Sequence, residues 1–517
     1  MATVGKNILD NLTTGMYADS KVIYREYIQN ACDQIDIARA QGIIEADDGL
    51  VDIFINEHKR YISIKDNATG VKKSSFVDDL GNIADSNKKI GENKGFRGIG
   101  RLCGLAYCKT LKFTTSFKGE NVSSVMVCDA QKMRTMLIED KKYTLDEIWD
   151  AIVSFDTQPA KTEEHYFEVE LIDINKENTD LLDLKKVKEY LSFTAPVPYK
   201  NAFIFRQQIY DHAKAIGYVL DEYCVQVNGQ QIFKEYTTKL KEQSGANLQN
   251  YDDISRLEFK DFKTPEGTLL AWMWIGLSRF EKQIPGVNQM RGLRLRSANI
   301  QLGDDDTLVA LFKESRGNYY FVGEVFAVSK ALIPNSQRNY FNENETRVYF
   351  EDELRRYFYD VLHKLYTDAN KIKNAYKRQV EYVSKVEEFA QKSKENGFVD
   401  EDDRQRQQFA VEKAKKEAEE ARKQLSRFDS VEDSSPLAEV KKSIGKKFDS
   451  DKLKAKAATT EISEQDTEKK KPYVTQTMSK LSRSERKLVS KIMSIITDTA
   501  PSDIAGQIID KIKEELK

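Results

Sequence analysis

From Tyr24 the apolar residues Tyr24, Ile28, Ile35 and Ala38 fall at helical spacing, and Gly42 follows as a stop signal, so the pattern predicts a long helix ending near Ala40. The period then changes. Residues 50–55 and 61–64 read as two strands joined by a charged turn. A weakly helical stretch over 71–84 gives way at 85–98 to a polar, glycine-punctuated run with the composition of a loop. A helical run is predicted over 99–108. Strands at 110–116 and 122–128 flank Lys118-Gly119-Glu120-Asn121, which makes them a hairpin. A helix-like insert over 145–153 and a strand at 165–172 complete a sheet with helices on one side, and Pro196 and Pro198 predict a hinge.

Beyond the hinge, strands are predicted at 223–227, 269–275, 293–302 and 319–328, with Val227-Asn228-Gly229-Gln230 as a tight turn. From 346 the pattern is helical. Leu365, Ala369, Ile372, Tyr376, Val383, Val386 and Ala390 keep three-or-four spacing apart from a slip near Val380, and Val411, Ala414, Ala418, Ala421 and Leu425 keep it throughout, on either side of a polar break at 391–404. This predicts a helical hairpin. Residues 429–475, rich in Ser, Asp, Glu and Lys, read as a flexible linker. Ser482 to Glu485 fits a capping box, and Pro501-Ser502 restarts a second amphipathic helix. The expected organisation is an α+β chain divided at 1–198, 199–345, 346–428, 429–475 and 476–517. The last two helices cannot bury themselves alone, which predicts docking on a partner chain or in a dimer.

Composition narrows the class. The 517 residues carry 81 basic and 83 acidic side chains, a net charge of −2, so no global field selects nucleic acid or membrane. Clusters such as Lys469-Lys470-Lys471 and Lys441-Lys442 to Lys446-Lys447 sit in the charged linker, where solvation accounts for them. Five cysteines without a C-x-x-C spacing suggest neither a disulfide framework nor a zinc site. There is no apolar leader and no apolar run of membrane-spanning length, so a cytoplasmic protein is expected.

The polar face of the first helix carries the chemistry. Glu26, Asn30 and Asp33 stand at i, i+4 and i+7, so two carboxylates and a carboxamide share one side. Asp66, in Asp66-Asn67-Ala68-Thr69-Gly70, lands just past a strand, and Gly95, Gly98 and Gly100 cluster downstream. Each signal alone has a plainer reading, a solvated face, an Asx turn or a loop glycine. Together and in this order they suit a nucleotide. Asn30 could hold a hydrated magnesium ion, Glu26 could deprotonate an attacking water, and Asp66 could accept from an adenine amino group. The glycines would let backbone N–H groups reach phosphates at the positive end of a helix starting at Ile99, with Lys94 and Arg97 adding charge. No P-loop motif is present.

The series Glu26-x-x-x-Asn30-x-x-Asp33, Asp66-x-x-x-Gly70 and Gly95-Phe96-Arg97-Gly98-Ile99-Gly100 resembles the nucleotide-binding signature of the GHKL ATPases, which include gyrase, the ninety-kilodalton heat-shock chaperones, histidine kinases and MutL. The resemblance implies a Bergerat α/β sandwich, with Glu26 as the water-activating base, Asn30 as the magnesium ligand, Asp66 as the adenine contact and residues 85–100 as the lid over ATP. Ala68 stands where the family usually has glycine. Gly292-Leu293-Arg294-Leu295-Arg296, Gly323-Glu324-Val325 and Leu332 to Asn339 are similar to the transducer domain of the chaperone and MORC branches, implying that Arg338 reaches the γ-phosphate. The C-terminal helices resemble no named family.

The function this implies is a Mg-dependent ATPase acting as a conformational switch, a homodimer that clamps through its N-terminal domains and hydrolyses ATP slowly. It is expected to be chaperone-like or MORC-like, with a client protein or partner subunit. A nucleic-acid-binding clamp that uses ATP as a structural ligand is the alternative, and a role in bacterial defence rests on analogy with stand-alone relatives.

Overall fold

A computed structural model describes residues 5–6, 9, 19–82, 100–395, 398, 401–433, 435–448 and 480–516. The chain is a mixed α+β protein that divides into two compact units, Met1–Leu277 with Lys282–His363, and Ser278–Glu281 with Lys364–Lys517.

The first unit is built on two main sheets. Helix α1 (Val22–Ala40) precedes the antiparallel strands β1 (Leu50–Asn56) and β2 (Tyr61–Asp66). Strands β3 (Cys108–Ser116), β4 (Val122–Asp129), β5 (Val153–Pro159), β6 (Tyr166–Ile174), β7 (Cys224–Val227) and β8 (Gln230–Gln231) complete an eight-stranded sheet in the order β5-β4-β3-β6-β2-β1-β7-β8. Ile23, Tyr24, Ile28 and Ile35 of α1 share one core with Val51, Ile53 and Ile55 of β1 and Ile62 and Ile64 of β2. The alternate β1 residues Asp52 and Phe54 are exposed, which is the period-two signature of a half-covered sheet. Helices α2 (Lys73–Gly81), α3 (Ala130–Ile138), α4 (Leu145–Ile152) and α5 (Leu184–Thr194) supply further residues to the same core.

The strand expected at 223–227 does not join the second sheet. It is β7, parallel to β1 in the first. The Asn228 side chain fixes it there, accepting from Ile55 N at 2.8 Å and donating to Ile55 O at 3.0 Å. The turn signal was local, whereas the choice of sheet depended on a partner 173 residues upstream.

After helix α6 (Arg206–Ala215) and the hairpin β9 (Lys239–Ser244) with β10 (Asn247–Asp253), the second main sheet has the order β11-β12-β15-β13-β14. Its strands are β11 (Arg256–Lys263), β12 (Leu269–Leu277), β13 (Gly292–Ser297), β14 (Ile300–Leu302) and β15 (Val322–Ala327). Almost every residue of β12 is buried, so it reads as a continuous apolar run. The single strand expected over 293–302 is instead the tight hairpin β13–β14, because Ala298 and Asn299 both adopt left-handed φ, +48° and +59°. Likewise the strand expected from 319 begins at Val322, behind a 3₁₀ turn over Ser315–Tyr320, and the helix expected over 99–108 is a 3₁₀ turn, Gly100–Ala106, that passes into β3. Helix α7 (Glu345–Tyr357) is followed by a π-helical turn, Phe358–Leu362, at the end of the unit.

The second unit is helical. α8 (His363–Glu395) and α9 (Glu401–Ser426) bury Val383, Val386, Val411, Ala414, Ala418 and Ala421, while Val380, at the slip in spacing, is 37% exposed. Part of the expected linker is helix α10 (Pro436–Phe448), with Val440 and Ile444 buried and Phe448 stacked on Tyr376 at 5.6 Å. Its high charge hid a short apolar stripe. Residues 449–475, the rest of that linker with Lys469-Lys470-Lys471, lie outside the described residues. In α10, Lys441 pairs with Asp429 at 2.6 Å and Lys447 with Glu281 at 2.6 Å, so these cations are spent within the unit. Helix α11 (Arg483–Thr499) begins at the expected capping box of Ser482 and Glu485, and α12 (Ser502–Glu515) follows. Leu488, Ile492, Ile495, Ile504 and Ile508 are exposed on this pair. No helix among the described residues is long and apolar enough to cross a membrane.

Candidate functional site

Packing decides which side of α1 is available for chemistry. Its apolar stripe lies on β1 and β2, and the adjoining stripe holds Glu26 and Asp33, 7% and 4% exposed, with Asn30 partly open between them. Buried carboxylates need partners or a ligand. Gly100 lies directly against the first of them, since a Cβ there would sit 2.6 Å from Glu26 Oε2. The following turn is tied to the same helix, because Tyr27 Oη donates to Arg101 O at 2.9 Å and accepts from Gly104 N at 3.1 Å. Burial, and then the neighbouring Glu26 carboxylate, push the Cys103 thiol well above the usual thiol range, so this cysteine is an inert packing group. The last glycine of the cluster is therefore brought to Glu26, while Lys94, Gly95, Phe96, Arg97, Gly98 and Ile99 lie outside the described residues.

Asp66 ends β2, paired in register with Phe167 of β6, and is 5% exposed. Its Oδ1 accepts from Ala68 N at 3.0 Å, so the Asx turn and the buried carboxylate are one arrangement. Ala68 is fully buried with ordinary negative φ, and its carbonyl lies 2.8 Å from His165 Nδ1. Alanine is accommodated where the family resemblance led us to expect glycine. Two residues on, the tolerance ends. Gly70 has φ +66°, and a Cβ would stand 1.9 Å from Ser116 O. Thr69 Oγ1 donates to Gln34 Oε1 of α1 at 3.0 Å, and Thr115 Oγ1 accepts from Val71 N at 2.9 Å while donating to Tyr166 O at 2.8 Å. The Asp66 loop is thus held between α1 and the end of β3. At that strand end the buried hydroxyls of Thr114 and Ser116 have no hydrogen-bond partner among the described residues.

Arg338 comes to the same carboxylate from the segment that follows β15. It is 9% exposed, and its Nε stands 3.6 Å from Glu26 Oε1. The backbone is bent to deliver it: φ is +53°, with the Arg338 amide donating to Asn335 O at 3.1 Å and its carbonyl accepting from Gly303 N at 2.9 Å. A second guanidinium that sequence reasoning missed completes the group. Arg25 Nη2 lies 3.3 Å from Glu26 Oε1 and donates to Gln337 O at 3.1 Å. Its place beside Glu26 was visible, but nothing local announces a partner 312 residues away.

Among the described residues, no three His, Cys, Asp or Glu side chains gather as a metal site. Asn30, a single neutral oxygen donor half open beside Glu26, fits the lighter demand of a magnesium ion that keeps most of its waters. The orphaned hydroxyls at the end of β3 suit a bound polar molecule.

Residues 20–157 match the family described as "Histidine kinase-, DNA gyrase B-, and HSP90-like ATPase". The chain is also similar to chaperone proteins HtpG. It is 32% identical over 142 residues to that of Wigglesworthia glossinidia brevipalpis, covering 23% of this chain and 22% of the relative. It is 32% identical over 90 residues to that of Buchnera aphidicola subsp. Baizongia pistaciae, covering 16% and 14%. It is 27% identical over 131 residues to that of Psychrobacter arcticus, covering 22% and 20%. The chain spans about a fifth or less of the length of the curated relatives it matches.

Proposed function

We propose, from the GHKL-type ATPase domain that residues 20–157 constitute, that this protein binds ATP with magnesium and hydrolyses it slowly as a conformational switch. The observation that carries the reading is the meeting of Glu26 with Arg338, at 3.6 Å, across more than 300 residues of chain. Glu26 is the base that takes the proton of the attacking water, since it is buried on a helix that cannot easily move it. Asn30 is the protein ligand of the magnesium ion, which when bound would neutralise phosphate charge. Asp66 accepts from the adenine amino group, with Gly70 and Gly100 giving the backbone close approach. Arg338 supplies a fixed positive charge to the terminal phosphate, a task for which a guanidinium is suited because it stays protonated and binds oxygens in a fork. Asp33 has a supporting part, orienting its neighbours on α1.

The HtpG relatives are named as chaperones, and a chaperone-like clamp is the whole-protein activity we propose here, with the exposed apolar residues of α11 and α12 joining two copies. Hydrolysis is tested with the full chain and magnesium-ATP. Glu26→Ala is expected to lose at least about 100-fold in rate, the usual scale for a general base. Equal rates in the two proteins would overturn the catalytic assignment.

A further inference from the structure

Within the first unit a cavity of about 800 Å³ opens beside Arg25, walled by Lys21 and Arg25 of α1, Arg291, Arg294 and Gln301 around the β13–β14 hairpin, and Gln337. Its volume lies in the range of sites that hold small molecules. Most of the charges on its wall are already answered. Lys21 pairs with Asp19 at 2.9 Å, Arg291 with Asp305 at 3.6 Å and Arg25 with Glu26. Asp304 on the same wall also makes no ion pair among the described residues, but it is exposed to water; Arg294 is the buried exception.

Arg294 is 93% buried and makes no ion pair among the described residues; its relative exposure is 7%. Nη1 donates to Gln301 Oε1 at 3.0 Å, Nη2 donates to Gln289 O, and Nε has no hydrogen-bond partner among the described residues. The ring of Phe193 lies 4.3 Å away, and the carboxylates of Asp305 and Glu324 act on the guanidinium only from beyond ion-pair distance. Two neutral acceptors and an aromatic face do not offset a full charge taken out of water, and a guanidinium cannot shed its proton to escape the cost. A strand residue held this way on the wall of a roomy cavity is built to meet an anion.

We propose that this cavity binds a small soluble anion, a phosphate- or carboxylate-bearing molecule, whose charge is met by Arg294 with Arg291 at the rim, and that it is a site separate from the nucleotide pocket. Its position gives it reach, because Arg25 and Gln337 on its wall are the sequence neighbours of Glu26 and Arg338. The site does not rest on the hydrolytic reading: a Glu26→Ala chain without ATPase activity should still bind.

The test is calorimetric titration of the full chain, saturated with a non-hydrolysable ATP analogue, with inorganic pyrophosphate and separately with citrate. Saturable one-to-one binding of either probe is expected, and which of the two binds distinguishes a phosphate ligand from a carboxylate one. Arg294→Gln and Arg291→Gln should each weaken binding tenfold or more. Lys185→Gln, whose side chain is 85% exposed and outside the cavity, should leave it unchanged. Arg291→Gln decides the matter alone if Arg294→Gln fails to fold. Absence of saturable binding with both probes, binding that survives the cavity substitutions, or binding seen only without the ATP analogue would each overturn the proposal.

Discussion

Three side chains, Arg25, Glu26 and Arg338, meet at the candidate site, and each is held by something other than its own preference. Glu26 is fixed by the helix, Arg25 by Gln337 O, and Arg338 by a backbone in a left-handed conformation that a branched or long side chain adopts at a cost of about 1–3 kcal/mol. Arg338→Gly is therefore expected to remove the positive charge without lowering the thermal midpoint by more than a few degrees, since glycine relieves the strained φ. Loss of ATPase activity with an unchanged midpoint would assign the residue to chemistry, and a midpoint that falls with activity would assign it to the structure. Gly70 makes the opposite case. Gly70→Ala meets both a positive φ and a carbonyl at 1.9 Å, so the Asp66 loop must shift. We expect nucleotide affinity to drop at least tenfold, with a stability loss of more than about 1 kcal/mol by urea unfolding. Of these residues, Glu26, Asp66 and Gly70 were legible in the sequence because their spacing is local. Arg25 was not, because its meaning comes from a carbonyl on another element.

Elements divide along a similar line. Helix α1, strands β1 to β4 and helices α11 and α12 were legible, since each carries its own period and, for α11, its own cap. Helix α10 was hidden by the charge of its surroundings, and β13–β14 by a turn whose residues, Ala298 and Asn299, advertise no turn. β7 was read correctly as a strand and given to the wrong sheet. The C-terminal pair leaves Ile492 and Ile495 43% and 56% exposed, three positions apart on one face of α11. If this face joins two copies, Ile492→Asp with Ile495→Asp should shift the full chain from dimer to monomer in sedimentation. Both positions are open to solvent, so the helix itself should survive. An unchanged mass would place the dimer contact elsewhere.

At the scale of the whole molecule, the second sheet is organised around a buried carboxylate. Glu324 on β15 receives Tyr236 Oη at 3.1 Å, Trp274 Nε1 at 3.1 Å and Lys234 Nζ at 3.2 Å, together with Arg296 Nε and Tyr199 Oη. Burial pushes its carboxyl up, but Arg296 and then Lys234, with the hydroxyl and indole donors, push it further down, to about 2. A folded-state value below the ordinary 4.5 means stability that is present above pH 4.5 and lost as the pH falls towards 2, worth about 3 kcal/mol in all. Urea midpoints of the full chain should therefore fall through that window. Glu324→Gln should lower the midpoint at pH 7 and flatten the acid slope, because it removes the ion-pair partner of both Arg296 and Lys234. An acid slope equal to that of the parent chain would assign the acid sensitivity to other carboxylates.

The sequence by itself determined what depends on neighbours along the chain: the helix and strand periods, the caps, the face shared by Glu26, Asn30 and Asp33, and the glycine demanded at 70. These follow from backbone geometry that repeats every two or 3.6 residues. Only the tertiary structure decided that Arg338 is buried against Glu26, that Arg25 bridges to Gln337, that β7 lies beside β1, and that Arg294 faces a cavity without an ion pair among the described residues. Each of these is a pairing across a hundred or more residues, or a placement on a wall made by several elements, and no local period encodes such a distance.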